Sequence, residues 1–459
     1  MWLPVLSAII GIIAFLPINF YPVVFVFLTP LFIFFLREKK FWRLVAGAML
    51  FRLIFLLGTV YFTLEPILWT QGILLFLGLP VSVFLFKKFV NKADSLLPIL
   101  IFLPFAWTFF DLLQAKFALT PSFTDASGNA LGSSPFLGLA GIGGFVALTF
   151  FVALINVLVT SLITWRSNRQ VISVLIAAIV IVVFLGWQIS NFELHKNAVA
   201  YANLPNSINI SVVSTNGTFT ADSFGELTGE LTDKKTDLVV FPEDIFNQRT
   251  SSVTFQNTAK DLETNVLAAY DTFSDENGIK HNSAILFGAD GAVLGIHNKN
   301  RLTFIGEYWP FGDWQPSIYT WLREQTPDIG TYAIFDQKNA DQPGERNLLS
   351  VKIQGNTVLF AAPICVEVLY PDDLKEYKAD GAQFIINQSS NRWIGIGLHH
   401  YLYLMNNLRK IEAVWLEMPI ISSGVYSSAG ITLPNGQTHS VNYQKGDKNY
   451  NIFFGNLRY

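Results

Sequence analysis

The sequence predicts a polytopic α-helical membrane domain followed by a layered α/β domain, and three observations carry that prediction. Apolar residues make up 51% of the 459 residues against 14% charged, too apolar for an ordinary soluble chain, and they are crowded ahead of residue 190. Beyond Asn206, short β-rich runs alternate with segments of helical periodicity. The charge changes sign at the same place: residues 1–190 hold 11 Lys and Arg against 5 Asp and Glu, the remainder 20 against 29.

Seven apolar runs lie at roughly 3–17, 22–36, 44–62, 66–86, 96–111, 137–164 and 171–189. Most approach the ~20 residues that carry a helix across ~30 Å of hydrocarbon, and the first two are short. Met1-Trp2-Leu3-Pro4 has no basic side chain and no small-residue cleavage site follows, so the first run is expected to be a retained helix and not a signal peptide. Loop charge sets the orientation, because Lys and Arg accumulate on the cytoplasmic side. Arg37, Lys39, Lys40, Arg43, Lys87, Lys88, Lys92, Arg166 and Arg169 fall in alternate loops, and the opposite loops hold only Lys116. The N-terminus is therefore expected in the cytoplasm and, after seven spans, everything past residue 190 outside it. Expected boundaries are a transmembrane domain over 1–190, a connector over 191–205 and an extracytoplasmic domain over 206–459. Arg52, deep in the third run, marks a functional site, a structural pairing or a side chain that snorkels toward the Arg43 side.

The outer domain reads as strands over 208–213, 238–241, 284–287, 292–296, 348–353, 357–362, 384–387, 420–422 and 430–433. Helices are expected over 221–232, 253–273, 371–378 and 399–416. Asn435-Gly436 is a hairpin signal. Interleaved strands and helices point to a layered α/β core. Its acidic balance excludes nucleic acid as a partner. All six histidines lie past residue 190, and His399-His400 has no companions at ligand spacing, so no metal and no other cofactor is expected.

Three strand ends carry chemistry. Leu238–Phe241 leads to Glu243, Ala292–Ile296 to Lys299, and Thr357–Ala362 to Cys365, the chain's single cysteine. Active-site side chains of α/β domains emerge at such ends. A carboxylate can serve as base for a thiol nucleophile, and an ammonium with a backbone N–H can stabilise the oxyanion that forms. Taken alone, each has a plainer reading: a free cysteine is commonly a small buried hydrophobe, and lone charges are commonly solvated. No Gly-x-Ser-x-Gly elbow or phosphate-binding glycine loop competes.

These residues resemble a known pattern. Glu243 after Phe-Pro, Lys299 before Asn300-Arg301-Leu302 and Gly306-Glu307-Tyr308, and Cys365 two before Glu367 are similar to the Glu-Lys-Cys triad of the nitrilase superfamily. With the multi-span N-terminal half, the chain resembles the apolipoprotein N-acyltransferase family. The likeness continues through Asn387–Trp393, His400, Arg409 and Glu412, and Ser423-Gly424. It implies a nitrilase-like αββα sandwich with Glu243 as base, Lys299 as oxyanion stabiliser and Cys365 as nucleophile. Glu307 and Glu367 would orient Lys299 and the attacking amine, while Trp309 and Trp393 would support or bind substrate. Independently of the resemblance, the amphipathic rings of Trp309, Trp314, Tyr319 and Trp321 suit either a lipid-touching arm over the site or core packing. The implied reaction moves an acyl chain from a phospholipid to the N-terminal amine of a diacylglyceryl-cysteine lipoprotein at a bacterial cytoplasmic membrane. The chain departs from the family at Phe241, at Phe304-Ile305 and at Val366. The family also ends in one more helix, whereas Asn451–Tyr459 is too short and polar to span a membrane. A membrane-tethered carbon-nitrogen hydrolase and a non-catalytic scaffold remain as alternatives.

Overall fold

The computed structural model describes residues 1–61, 73–90, 97–117, 123–245, 252–274, 280–303, 314, 317, 343–392, 394, 397–441 and 448–459. The chain forms two compact units. One comprises Met1–Asn197 with Ile396–Trp415, the other Ala198–Gly395 with Leu416–Tyr459.

In the first unit the apolar runs form helices α1 (Trp2–Phe15), α2 (Thr29–Arg37), α3 (Phe41–Thr59), α4 (Gly78–Val90), α5 (Leu97–Phe117), α6 (Ala140–Thr164) and α7 (Arg169–Ala202). Among the described residues five helices, over Phe41–Thr59, Ile73–Val90, Leu97–Phe117, Leu137–Thr164 and Arg169–Ala202, are long and apolar enough to cross a membrane. The first two runs form shorter apolar helices. α7 continues to Ala202, through most of the segment expected as a connector.

The unit is held by buried polar groups as well as apolar packing. The Arg52 guanidinium donates to the Asp125 carboxylate, so the intramembrane arginine is paired, and it also lies over the Phe55 and Phe76 rings. Gln114 donates to the same Asp125 oxygen at 3.2 Å, and Asp111 accepts from both Ser127 N and Ser127 Oγ at 2.8 and 2.6 Å. These bonds fix the 3₁₀ turns Phe123–Asp125 and Ser127–Leu131, non-helical backbone that apolar surroundings tolerate only when its polar groups are satisfied. At Gly144, φ +56° breaks α6 near its start, and a Cβ there would meet the Trp415 ring at 2.6 Å.

The second unit is a 12-stranded mixed sheet. Its strands are β1 (Ser207–Thr215), β2 (Leu238–Glu243), β3 (Asn265–Ser274), β4 (Lys280–Phe287), β5 (Val293–Asn298), β6 (Leu349–Ile353), β7 (Asn356–Ala361), β8 (Phe384–Ser390), β9 (Ile420–Val425), β10 (Ala429–Thr432), β11 (Thr438–Val441) and β12 (Tyr450–Arg458). The order β5-β4-β3-β2-β1-β9-β8-β7-β6 is joined between β1 and β9 by the single pair Thr215↔Val425. Alternation explains how the two halves stack. Ile208, Ile210, Val212, Leu238, Val240, Leu267 and Leu286 share one core with Val351, Val358, Phe360, Phe384, Ile386 and Ile421 from the other half. The intervening residues Val213, Val239, Phe241, Val266, Ile285 and Phe287 pack with Leu227 and Leu231 of α8 (Ala221–Thr232) and with Phe255 and Ala259 of α9 (Ser252–Asp261). α10 (Pro371–Ala379) and α11 (Leu398–Leu416) form the crossovers from β7 to β8 and from β8 to β9, and Ile396–Trp415 of the latter belongs to the first unit.

Two segments differ from expectation. The helix over 253–273 stops early: Asp261 ends it, Glu263 turns left-handed at φ 48°, and β3 follows. Val266–Ala269 is apolar on both faces because both are covered, so it lacks the alternation that marks a half-exposed strand. Asn451–Tyr459, expected only not to span a membrane, supplies β12, which pairs antiparallel with β1 from Ser207↔Arg458 to Thr215↔Tyr450. Asn435-Gly436 makes the turn between β10 and β11 as expected, with Gly436 at φ 77°.

Arg52→Ala would leave Asp125 buried without its cation. It is expected to destabilise the protein by roughly 3–5 kcal/mol, measured as a lowered unfolding midpoint in detergent, while Arg52→Met combined with Asp125→Leu recovers most of the loss.

Candidate active site

Strand direction gathers the three chemical groups at one sheet edge. β2 and β3 are parallel, β3–β4 and β4–β5 antiparallel, so β5 runs in the direction of β2. β7, β8, β9 and β1 are also parallel. Glu243 at the end of β2, Lys299 directly after β5 and Cys365 four residues after β7 therefore all emerge at carboxyl ends.

Glu243 and Lys299 are buried, with Lys299 Nζ 3.8 Å from Glu243 Oε1. Both carboxylate oxygens are held: Asn282 Nδ2 donates to Oε1 at 2.7 Å and Ser390 N to Oε2 at 2.9 Å. Asn282, on β4, also accepts the Lys299 backbone N–H through its own carbonyl at 2.7 Å, so one residue sets both members of the pair. The next residue, Asp244, lies in the left-handed region at φ 55°. Arg392 fastens that turn, donating to Asp244 Oδ2 at 3.1 Å and to the Asp244 carbonyl.

Cys365, partly buried, also adopts left-handed backbone, φ 52°, a conformation that costs about 1–3 kcal/mol outside glycine and persists only where its surroundings impose it. Asn387 Nδ2 imposes it by donating to the carbonyls of Pro363 and Cys365 at 3.1 and 3.2 Å.

Glu367, nearly fully buried, joins the Cys365 loop to the Lys299 loop. Its Oε1 accepts from Asn300 N and Arg301 N at 2.7 and 3.3 Å, its Oε2 from Ile364 N at 2.6 Å, and His297 Nε2 lies 3.0 Å from Oε2. His297 Nδ1 is 2.9 Å from Asn347 Oδ1. Burial disfavours the charged imidazole, but the Glu367 charge and the hydrogen bonds to Glu367 and Asn347 outweigh it and raise its pKa.

Among the residues expected at the site, the structure brings Glu243 and Lys299 into a direct pair and ties the Cys365 loop to the Lys299 loop through Glu367. Glu307, Trp309 and Trp393 lie outside the described residues, as do Tyr319 and Trp321 of the expected arm; Trp314 is described and exposed. Asn282 and His297 carried no distinguishing signal in the sequence, since each acts through a tertiary bond, while Asn387 and Arg392 lie in the Asn387–Trp393 run of the resemblance without an expected role. His400 donates from Nε2 to the Phe15 carbonyl, and no group of three or more potential metal ligands occurs among the described residues.

The described geometry is thus a buried carboxylate–ammonium pair and a thiol on strained backbone, their loops linked through Glu367. Residues 7–158 match the apolipoprotein N-acyltransferase N-terminal domain, and residues 198–424 match the carbon-nitrogen hydrolase family. The two matches follow one another along the chain, an N-acyltransferase N-terminal domain and then a carbon-nitrogen hydrolase domain. It is 24% identical over 47% of its length to the apolipoprotein N-acyltransferase of Nostoc sp., covering 40% of that protein. It is 28% identical over 25% of its length to apolipoprotein N-acyltransferase 2 of Treponema denticola, covering 20% of it. The chain thus spans less than half the length of these relatives. An amidase from Nesterenkonia sp. AN1 aligns with 55% of this chain and 90% of its own at 13% identity and a TM-score of 0.39.

Replacing Asn282 with Ala removes a hydrogen bond to a buried carboxylate. Stability is expected to fall by about 1.5–3 kcal/mol, read from the unfolding midpoint of the full chain, with Asn282→Asp at least as damaging because it sets a like charge beside Glu243.

Proposed function

We propose that this protein transfers a fatty acyl chain from a phospholipid to the N-terminal amine of a diacylglyceryl-cysteine lipoprotein, through a thioester on Cys365. The observation that carries this reading is the buried Glu243–Lys299 pair, on a carbon-nitrogen hydrolase domain that shares its chain with an N-acyltransferase membrane domain. Glu243 takes the Cys365 proton, and the thiolate attacks the ester carbonyl of the lipid. Lys299 and a backbone N–H stabilise the oxyanion. The C–O bond breaks, Glu243 returns the proton to the departing lysophospholipid, and the acyl group stays on sulfur. The lipoprotein amine then attacks the thioester and gives a proton to Glu243, the C–S bond breaks as the amide forms, and Glu243 returns the proton to the departing thiolate. No cofactor enters, because the ester supplies an already activated acyl group. Apolar helices suit the reaction, since both substrates are anchored in lipid.

The loop charges support an N-terminus in the cytoplasm and a sheet domain on the outer face of a bacterial cytoplasmic membrane. In a Cys365→Ala background, an impermeant maleimide applied to intact cells is expected to label Lys234→Cys and not Lys88→Cys; the reverse pattern would invert the topology.

Incubation of the full chain with labelled phospholipid vesicles is expected to yield a hydroxylamine-sensitive adduct on Cys365 that moves to a diacylated lipopeptide on addition. Cys365→Ala should abolish it, and Glu243→Gln or Lys299→Met should slow it by about 10²-fold or more. Equal labelling of Cys365→Ala would overturn the reading, and release of free fatty acid without transfer would identify a hydrolase.

A further inference from the structure

We propose that His297 is a positioning residue that works as an imidazolium, holding the Lys299 and Cys365 loops in register through Glu367. Both ring nitrogens face acceptors. On one side stands a carboxylate oxygen of Glu367, at 3.0 Å, and on the other Asn347 Oδ1, at 2.9 Å. The Asn347 amide cannot turn about to offer its nitrogen without loss, because Nδ2 already donates to the Ile296 carbonyl at 2.6 Å. Two acceptors require two N–H donors, and only the charged ring carries both.

The partner is suited to that charge. Glu367 accepts three backbone N–H groups, and His297 and Glu367 are 0% and 3% exposed. The ion pair therefore sits out of water, where losing one charge leaves the other uncompensated. Removing the ring proton turns one nitrogen into an acceptor facing an oxygen. Either the Glu367 bond or the Asn347 bond is then lost, and the anion that pins Ile364, Asn300 and Arg301 loses its counter-charge.

Among the described residues, the groups facing the ring are few. Glu367 approaches from the turn after Cys365, and the Tyr377 ring of α10 lies 6.3 Å away at a steep angle. Opposite His297 across the sheet is Ala284, which is uncharged. Nearby cations are directed elsewhere: Lys299 to Glu243, Arg346 over the Tyr377 ring and Arg301 to Asp373. Glu367 is the charge that governs this histidine, and its attraction, with the two hydrogen bonds, moves the pKa upward. The sign follows directly. Because the folded state holds the proton more tightly than the unfolded chain, the stabilisation is fully present below the ordinary value of 6.5 and is lost as pH rises through the folded pKa.

The kinetic arm of the test rests on the acyl-transfer reading, and the titration arm does not. In the full chain reconstituted in phosphatidylethanolamine vesicles, histidine side-chain NMR, with the His297 signal assigned by its loss in His297→Gln, is expected to show a charged ring at pH 7. Acylation of Cys365 from a labelled acyl chain should lose rate as pH rises past that titration. His297→Gln, which cannot be charged, should lower kcat by about 10-fold or more with KM within about 3-fold, and should lack the falling limb. A neutral His297 at pH 7, or a His297→Gln profile parallel to the wild type, overturns the proposal. If the wild type is not acylated at any pH, the acyl-transfer reading fails. Iodoacetamide alkylation of Cys365 then decides: a His297-dependent falling limb sustains the positioning role, and its absence ends it.

Discussion

The arrangement of this site depends on one buried carboxylate. Glu367 accepts backbone N–H groups from Ile364 on one loop and from Asn300 and Arg301 on another, with His297 closing the cluster. An ionised carboxylate without donors is costly away from water, so these bonds act as a constraint on both loops at once. The loops carry the thiol and the ammonium, and neither could shift far without stranding charge. The placement of both side chains is thus inherited from an anion two residues away from Cys365.

The sandwich makes that constraint possible. Strand alternation sends Val240 inward and Phe241 outward, so β2 is apolar throughout until Glu243, where covered strand gives way to an edge that accommodates charge. At that edge the backbone is strained twice, at Asp244 beside the carboxylate and at Cys365. Neither conformation is intrinsic to its residue. Arg392 bonds across the first from just beyond β8, and Asn387 across the second from the middle of that strand. The strain aims side chains, and the neighbouring strand maintains it.

The helical unit follows the same physics in a drier setting. Arg52 and Asp125 neutralise each other where no solvent can, and the turns around Ser127 depend on Asp111 for backbone donors that a helix would have satisfied itself. Asn129 and Ser133, in or just beyond those turns, bond α11 through the Leu404 carbonyl and the Asn407 side chain. Through these bonds, the crossover between β8 and β9 is built into the helical unit.

The sequence by itself determined the broad architecture, because apolar run length and strand alternation are local consequences of solvent, and a membrane or a covered sheet leaves its period in the chain. It also pointed to Glu243, Lys299 and Cys365, since chemistry-bearing residues directly after apolar strands stand out against their surroundings. β3 escaped because a strand covered on both faces carries no period, and β12 because its pairing with β1 lies more than two hundred residues away in the chain. Only the tertiary structure decided that Asn282 serves two catalytic candidates, that Cys365 is strained, and that His297 faces two acceptors. Each of these is a relation between distant segments, and nothing in a residue's own neighbourhood records which donor or charge folding will bring against it.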